Sequence, residues 1–145
     1  MLQAGAPGWL RTFRRYLAFS AVAHLAWESA HVPLYTIGVE GTAGEIASAV
    51  LHCTAGDLVI ASSALLAALA LAGVEAWPRA RFAVVAATAV ALGAAYTVYS
   101  EWANLARGAW AYSDAMPTLP PLGTGLSPLL QWMLLPPLGL AWARK

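Results

Sequence analysis

The chain has 145 residues, of which 60% are apolar and only 10% charged, with a formal net charge of +1. Soluble domains carry about 25% charged residues, so this composition excludes an ordinary soluble fold and points to a single integral-membrane domain over residues 1–145. No basic run exceeds two residues, which argues against a nucleic-acid partner, and the lone cysteine, Cys53, excludes an internal disulfide framework.

In chain order, residues 1 to about 10 hold Gly5, Pro7 and Gly8 and read as a loose or interfacial lead-in. Arg11, Arg14 and Arg15 then precede an apolar run, and Ala21-Val22-Ala23 resembles a signal-peptide cleavage site. The apolar stretch before that site is too short for a secretory signal and the hydrophobic pattern continues past it, so a retained first membrane helix is expected over 13–35. Pro33 falls near its outer end, where the lost backbone donor does least damage. A Gly-containing turn (37–44) leads to a second helix over 45–73, whose later part, 58–74, is an uncharged apolar run. A turn over 74–81 with Pro78 precedes a third helix over 82–105, which opens with nineteen uncharged residues.

Residues 106–125 cannot form one regular helix, because Pro117, Pro120, Pro121, Gly123 and Gly125 interrupt them. Ser127 is a good N-cap and Pro128 suits the first helical position, so a fourth helix is expected over 127–143, close to the ~20 residues a span needs. Pro136-Pro137 should kink it and free carbonyls near Trp132 and Met133. The expected fold is all-α, a polytopic four-transmembrane-helix bundle with a long Pro-rich outer loop between the third and fourth helices. Such a loop is expected to lie across the outer face as a cover. Trp27, Trp102 and Trp132 suit interfacial anchoring, and Asp114 and Arg107 flank the loop as a potential pair.

Positive charge orients the chain. Arg11, Arg14, Arg15, Arg79, Arg81, Arg144 and Lys145 fall on one side of four spans and only Arg107 on the other. Both termini are expected in the cytoplasm, with a bacterial inner membrane as the location. Counting depth along the helices puts His52 roughly 10 Å and Asp57 roughly 18 Å below the outer surface. His24, Glu28 and His31 lie on the first helix, Glu101 and Asn104 on the third and Gln131 on the fourth, all in the same outer half. Ionisable side chains are costly in hydrocarbon and usually face an interior or a reactive site, so a shared outward-facing pocket is expected.

His24, Glu28 and His31 follow i, i+4, i+7 spacing and form one stripe; Thr97, Glu101 and Asn104 repeat it. On the second helix, His52 and Asp57 point well apart, which leaves open which face reaches the pocket. The pair Glu28–His31 has the i, i+3 spacing of di-metal bundles, but its counterpart ends in Asn104 instead of histidine. His24, Glu28, His31 and His52 together would suit one zinc or iron ion. His31 and His52 sit at similar depth, as the axial ligands of a b-type haem would, although the carboxylates nearby count against it.

The acid–base alternative takes Glu28, His52, Asp57 and Glu101 as catalytic groups. Asn104, Trp110, Tyr112 and Gln131 would then hold the substrate. Polar groups also tie membrane helices together without any further role, and a lone buried cysteine such as Cys53 is usually a small apolar residue. The reading that uses most of these residues is a membrane enzyme, acid–base or metal-assisted, acting on a lipid or other lipophilic molecule. A metal- or haem-binding carrier or electron-transfer subunit, and a structural subunit of a homo-oligomer or larger membrane complex, remain open alternatives.

Overall fold

The computed structural model describes residues 8–74 and 77–145 and is mostly helical. Residues 1–7 of the expected lead-in, and 75–76 of the turn before the third long helix, lie outside the described residues. Helix α1 runs Gly8–His31, α2 Thr36–Glu40, α3 Ala43–Ala72, α4 Phe82–Ala106 and α5 Leu126–Ala143. Two short strands, β1 (Thr118–Leu119) and β2 (Thr124–Gly125), form an antiparallel ladder within the α4–α5 loop.

Several boundaries differ from those expected, each for a local reason. Helix α1 ends at His31 and not at 35, giving way to a 3-10 turn over Val32–Leu34. Pro33 has no N–H to donate to the carbonyl four residues back, so the α ladder stops short of it and the chain tightens into the 3-10 turn that contains it. The 37–44 turn contains the short helix α2. Helix α3 starts at Ala43 because Thr42 and Glu45 form a reciprocal capping box: the Glu45 N–H donates to Thr42 Oγ1 (3.3 Å) and the Thr42 N–H to Glu45 Oε2 (2.8 Å). Gly125, not Ser127, is the N-cap of α5, and α5 continues through Pro136 and Pro137 to Ala143.

The four long helices pack in a ring: α1 touches α3 and α5, and α4 touches the same two. Helix α1 buries Thr12, Tyr16, Ser20, His24, Glu28 and His31, one residue every third or fourth position and none of them aliphatic. Helix α4 buries Val85, Ala89, Gly93, Thr97, Glu101 and Asn104 at the same spacing. One end of the ring is an apolar core of Tyr16, Leu65, Leu69, Trp77, Val85 and Leu140, with Ala61, Ala68 and Ala89 allowing close approach. Trp132, only 1% exposed, belongs to this core and is not an interfacial anchor. It occupies the hollow at Gly93, where a Cβ would come within 2.3 Å of its ring. Large apolar side chains point outward instead, Val22 at 72% and Leu71 at 77% exposure. Helices α3 and α4 are long and apolar enough to cross a membrane.

Candidate active site

At the other end of the ring the core is polar. The i, i+4, i+7 stripe of α1 delivers His24, Glu28 and His31 to the interior, and α5 answers with Gln131 and Ser127. Gln131 is the centre of the network. Its amide nitrogen lies 3.0 Å from Glu28 Oε1, 2.8 Å from Asp57 Oδ2 and 2.8 Å from His24 Nδ1, so three helices meet on one atom. His24 Nδ1 is also 3.0 Å from Asp57 Oδ2. An amide nitrogen has two hydrogens for these three neighbours, and Nδ1 either donates to Asp57 or, when bare, accepts from Gln131. One set of heavy atoms therefore supports two proton arrangements. Glu28 continues the chain through Oε2 to His31 Nε2 (3.1 Å), and His31 Nδ1 reaches Ser127 Oγ (2.9 Å).

Glu101, on α4, forms a second centre. The Tyr35 hydroxyl donates to its Oε2 at 3.2 Å, and the Tyr112 hydroxyl donates to the same oxygen while accepting the Gly125 N–H at 2.8 Å. The α4–α5 loop supplies this geometry. It is stitched to the end of α1 by Thr36 N–H to Ala111 carbonyl (3.0 Å) and Ser113 N–H to Leu34 carbonyl (2.9 Å), which pairs Tyr35 with Tyr112. Burial pushes the Tyr35 and Tyr112 phenols above the ordinary tyrosine range, and the Glu101 carboxylate adds to the effect. Both hydroxyls thus stay protonated as donors at neutral pH.

Between α3 and α4, beneath the loop, lies a cleft of about 1320 Å³. Glu28, His31, Asp57, Glu101 and Gln131 form its polar wall, with Asn104, Trp110 and Tyr112 nearer the loop. His24 is fully buried behind this wall, its ring 5.3 Å from that of Trp132, and its Nε2 has no hydrogen-bond partner. Asn104 is occupied locally, donating to the Ser100 carbonyl at 2.7 Å and accepting from Arg107 Nε at 3.1 Å. Arg107 therefore bonds to Asn104 and not to Asp114.

Asp57 is buried with Thr54, Ala61 and Ala64, whereas His52 is exposed on the cleft rim, outside the hydrogen-bond network. The ligand set His24, Glu28, His31 and His52 does not converge, and among the described residues no three His, Cys, Asp or Glu side chains are placed to hold a metal ion. His31 has both ring nitrogens within hydrogen-bond distance of side chains, Nε2 of Glu28 and Nδ1 of Ser127. Tyr35 carries no signal in spacing or composition; it reaches Glu101 only because α1 stops at His31 and the chain turns back over the cleft. Compared with known proteins, the chain matches no family model, no curated protein and no solved structure.

Proposed function

We propose that the chain is a four-helix bacterial inner-membrane protein, with both termini cytoplasmic, whose outward-facing cleft is an acid–base active site for a lipophilic molecule. Support for the membrane comes from the inverted burial of the helices, polar side chains inside and Val22, Leu71, Val84 and Leu138 outside. Soluble monomers rarely expose contiguous apolar surface on such a scale. Orientation is supported by Arg11, Arg15, Arg79, Arg144 and Lys145, which gather around one small pocket at the end opposite the cleft.

The observation that carries the enzymatic reading is the presence of two separately held carboxylates on one cleft wall. Glu28 is paired with an imidazole that can take or return a proton. Glu101 is held by two phenols on Oε2, which leaves Oε1 without a side-chain partner among the described residues. Carboxylates in different surroundings are the usual basis for dividing acid and base roles. The reaction class is proton removal at one substrate atom and proton return at another, a rearrangement that needs no outside oxidant or reductant. Asp57, His24 and Gln131 position Glu28, and Trp110 and Tyr112 cover the substrate. His52, on the rim, takes no catalytic role in this reading.

Incubating the purified protein with membrane-lipid extract in heavy water tests it. Deuterium should appear at carbon in one lipid species, and Glu28→Gln and Glu101→Gln should each abolish it. Incorporation that is unchanged in both variants overturns the reading.

A further inference from the structure

Two features of the cleft bear on what enters it and from where. First, it is open at the side. Val59 and Tyr96 line it halfway along α3 and α4 and are 66% and 51% exposed, so it reaches the outer flank of the ring as well as the loop. Gly56 sits in this opening, inside a 30-residue helix, and a Cβ there would meet nothing within 4 Å. Glycine costs a helix interior roughly 0.5–1 kcal/mol relative to alanine. At Gly93 the ring of Trp132 explains that cost; at Gly56 no neighbour does, and the space is continuous with the cleft.

Second, the lining has donors without acceptors and a one-sided charge. Thr97, one turn from Glu101, is 6% exposed and its Oγ1 has no hydrogen-bond partner among the described residues, although a helical threonine can bond the carbonyl four residues back. Trp110 Nε1 is likewise buried and unpaired. Both belong to the cleft lining. Glu28, Asp57 and Glu101 face it, and Glu40 and Glu45 stand at its mouth. Among the described residues the one Lys or Arg on its surface, Arg107, is committed to Asn104. A phosphate or carboxylate head would meet like charge at Glu28, Asp57 and Glu101, while an uncharged head that donates to a carboxylate and accepts from Thr97 or Trp110, as a hydroxyl or amine nitrogen does, would be matched.

We propose that a long-chain amine or alcohol enters the cleft sideways from the bilayer between α3 and α4, its head reaching Glu101 and Thr97 and its chain passing Gly56. The inference deepens the acid–base reading by naming the substrate class, and it rests on the chain spanning a membrane.

The test uses the full-length protein in phosphatidylcholine vesicles with photoreactive dodecylamine, dodecanol and dodecyl phosphate, each carrying a diazirine midway along the chain. Amine or alcohol should label α3 and α4 around Gly56 and Tyr96 at least tenfold more than the phosphate does. Gly56→Phe should cut that labelling at least tenfold and Gly56→Ala should cut it by less, each with a circular-dichroism spectrum matching wild type, whereas Leu138→Phe on the outer surface of α5 should leave it unchanged. Equal labelling by the phosphate, labelling spread evenly over the outer surface of α5, or full labelling of Gly56→Phe would overturn the proposal. Labelling as expected without deuterium incorporation keeps the binding site and removes the catalysis; incorporation without site-selective labelling does the reverse.

Discussion

Asp57 Oδ2 lies 3.0 Å from His24 Nδ1, joining α3 to α1, and Gln131 Nε2 sits 2.8 Å from both atoms. The interior of the ring is thus tied together by a triangle of polar atoms at the place where a soluble bundle would put leucines. Removing the shared member leaves His24 and Asp57 paired with each other but strands Glu28 Oε1, which has no other side-chain donor among the described residues. Gln131→Leu should therefore destabilise the protein by about 1–3 kcal/mol for each group stranded. Thermal unfolding in detergent measures this, and a double-mutant cycle between His24 and Asp57 should give a coupling of about 0.5–3 kcal/mol.

Gly93 and Gly56 should respond oppositely to alanine. At Gly93 the new methyl would press into Trp132, an overpacking that costs about 1–3 kcal/mol. At Gly56 it meets open space, and the helix should gain roughly 0.5–1 kcal/mol. The two melting curves should move in opposite directions from wild type.

Tyr112→Phe carries a pH signature. The phenol's proton is held more tightly in the folded chain than in the unfolded one, because of burial and then the hydrogen bond to Glu101. Its contribution is therefore complete below the unfolded value of about 10 and fades as pH rises toward the folded value. The variant should be less stable than wild type by about 1–3 kcal/mol near neutrality, and the gap should narrow in alkali. Chemical unfolding at a series of pH values reads this directly; a gap that widens in alkali would be the wrong sign.

Lipid contact is testable at Val59, Leu66 and Val84, which are exposed apolar positions on the two helices long enough to span a bilayer. Spin labels placed there, in a Cys53→Ala background, should collide readily with oxygen and poorly with a water-soluble nickel chelate. Preferential nickel collision at all three would remove the bilayer from the picture.

The polar stripes of α1 and α4 were legible in the sequence because a helix repeats every 3.6 residues, so polar residues at that spacing among apolar ones must share one face. The inward face of α3 was nearly legible: Asp57, Ala61, Ala64 and Ala68 share one face, and small residues mark close helix contacts. His52 shares its face with Gly56, Val59 and Ser63, all of which are exposed. Three things were not legible. Spacing along one helix says nothing of partners on another, so Gln131's role as the common donor was hidden. The end of α1 was placed too late because Pro33 ends the α ladder at His31 instead of being carried in a last turn, and that early stop is what brings Tyr35 to Glu101. Trp132 looked like an anchor by composition, but Gly93 on a different helix provides its seat.

Glu101→Gln separates a working acid–base group from a structural tie, since the carboxamide keeps the shape and can still accept from Tyr35 and Tyr112. Unfolding and solvent-deuterium incorporation should be measured on the same preparation. For a catalytic Glu101, stability stays within about 1 kcal/mol of wild type while incorporation falls by at least ~100-fold. A large loss of stability with incorporation intact would contradict it and leave the buried carboxylate as a helix fastener.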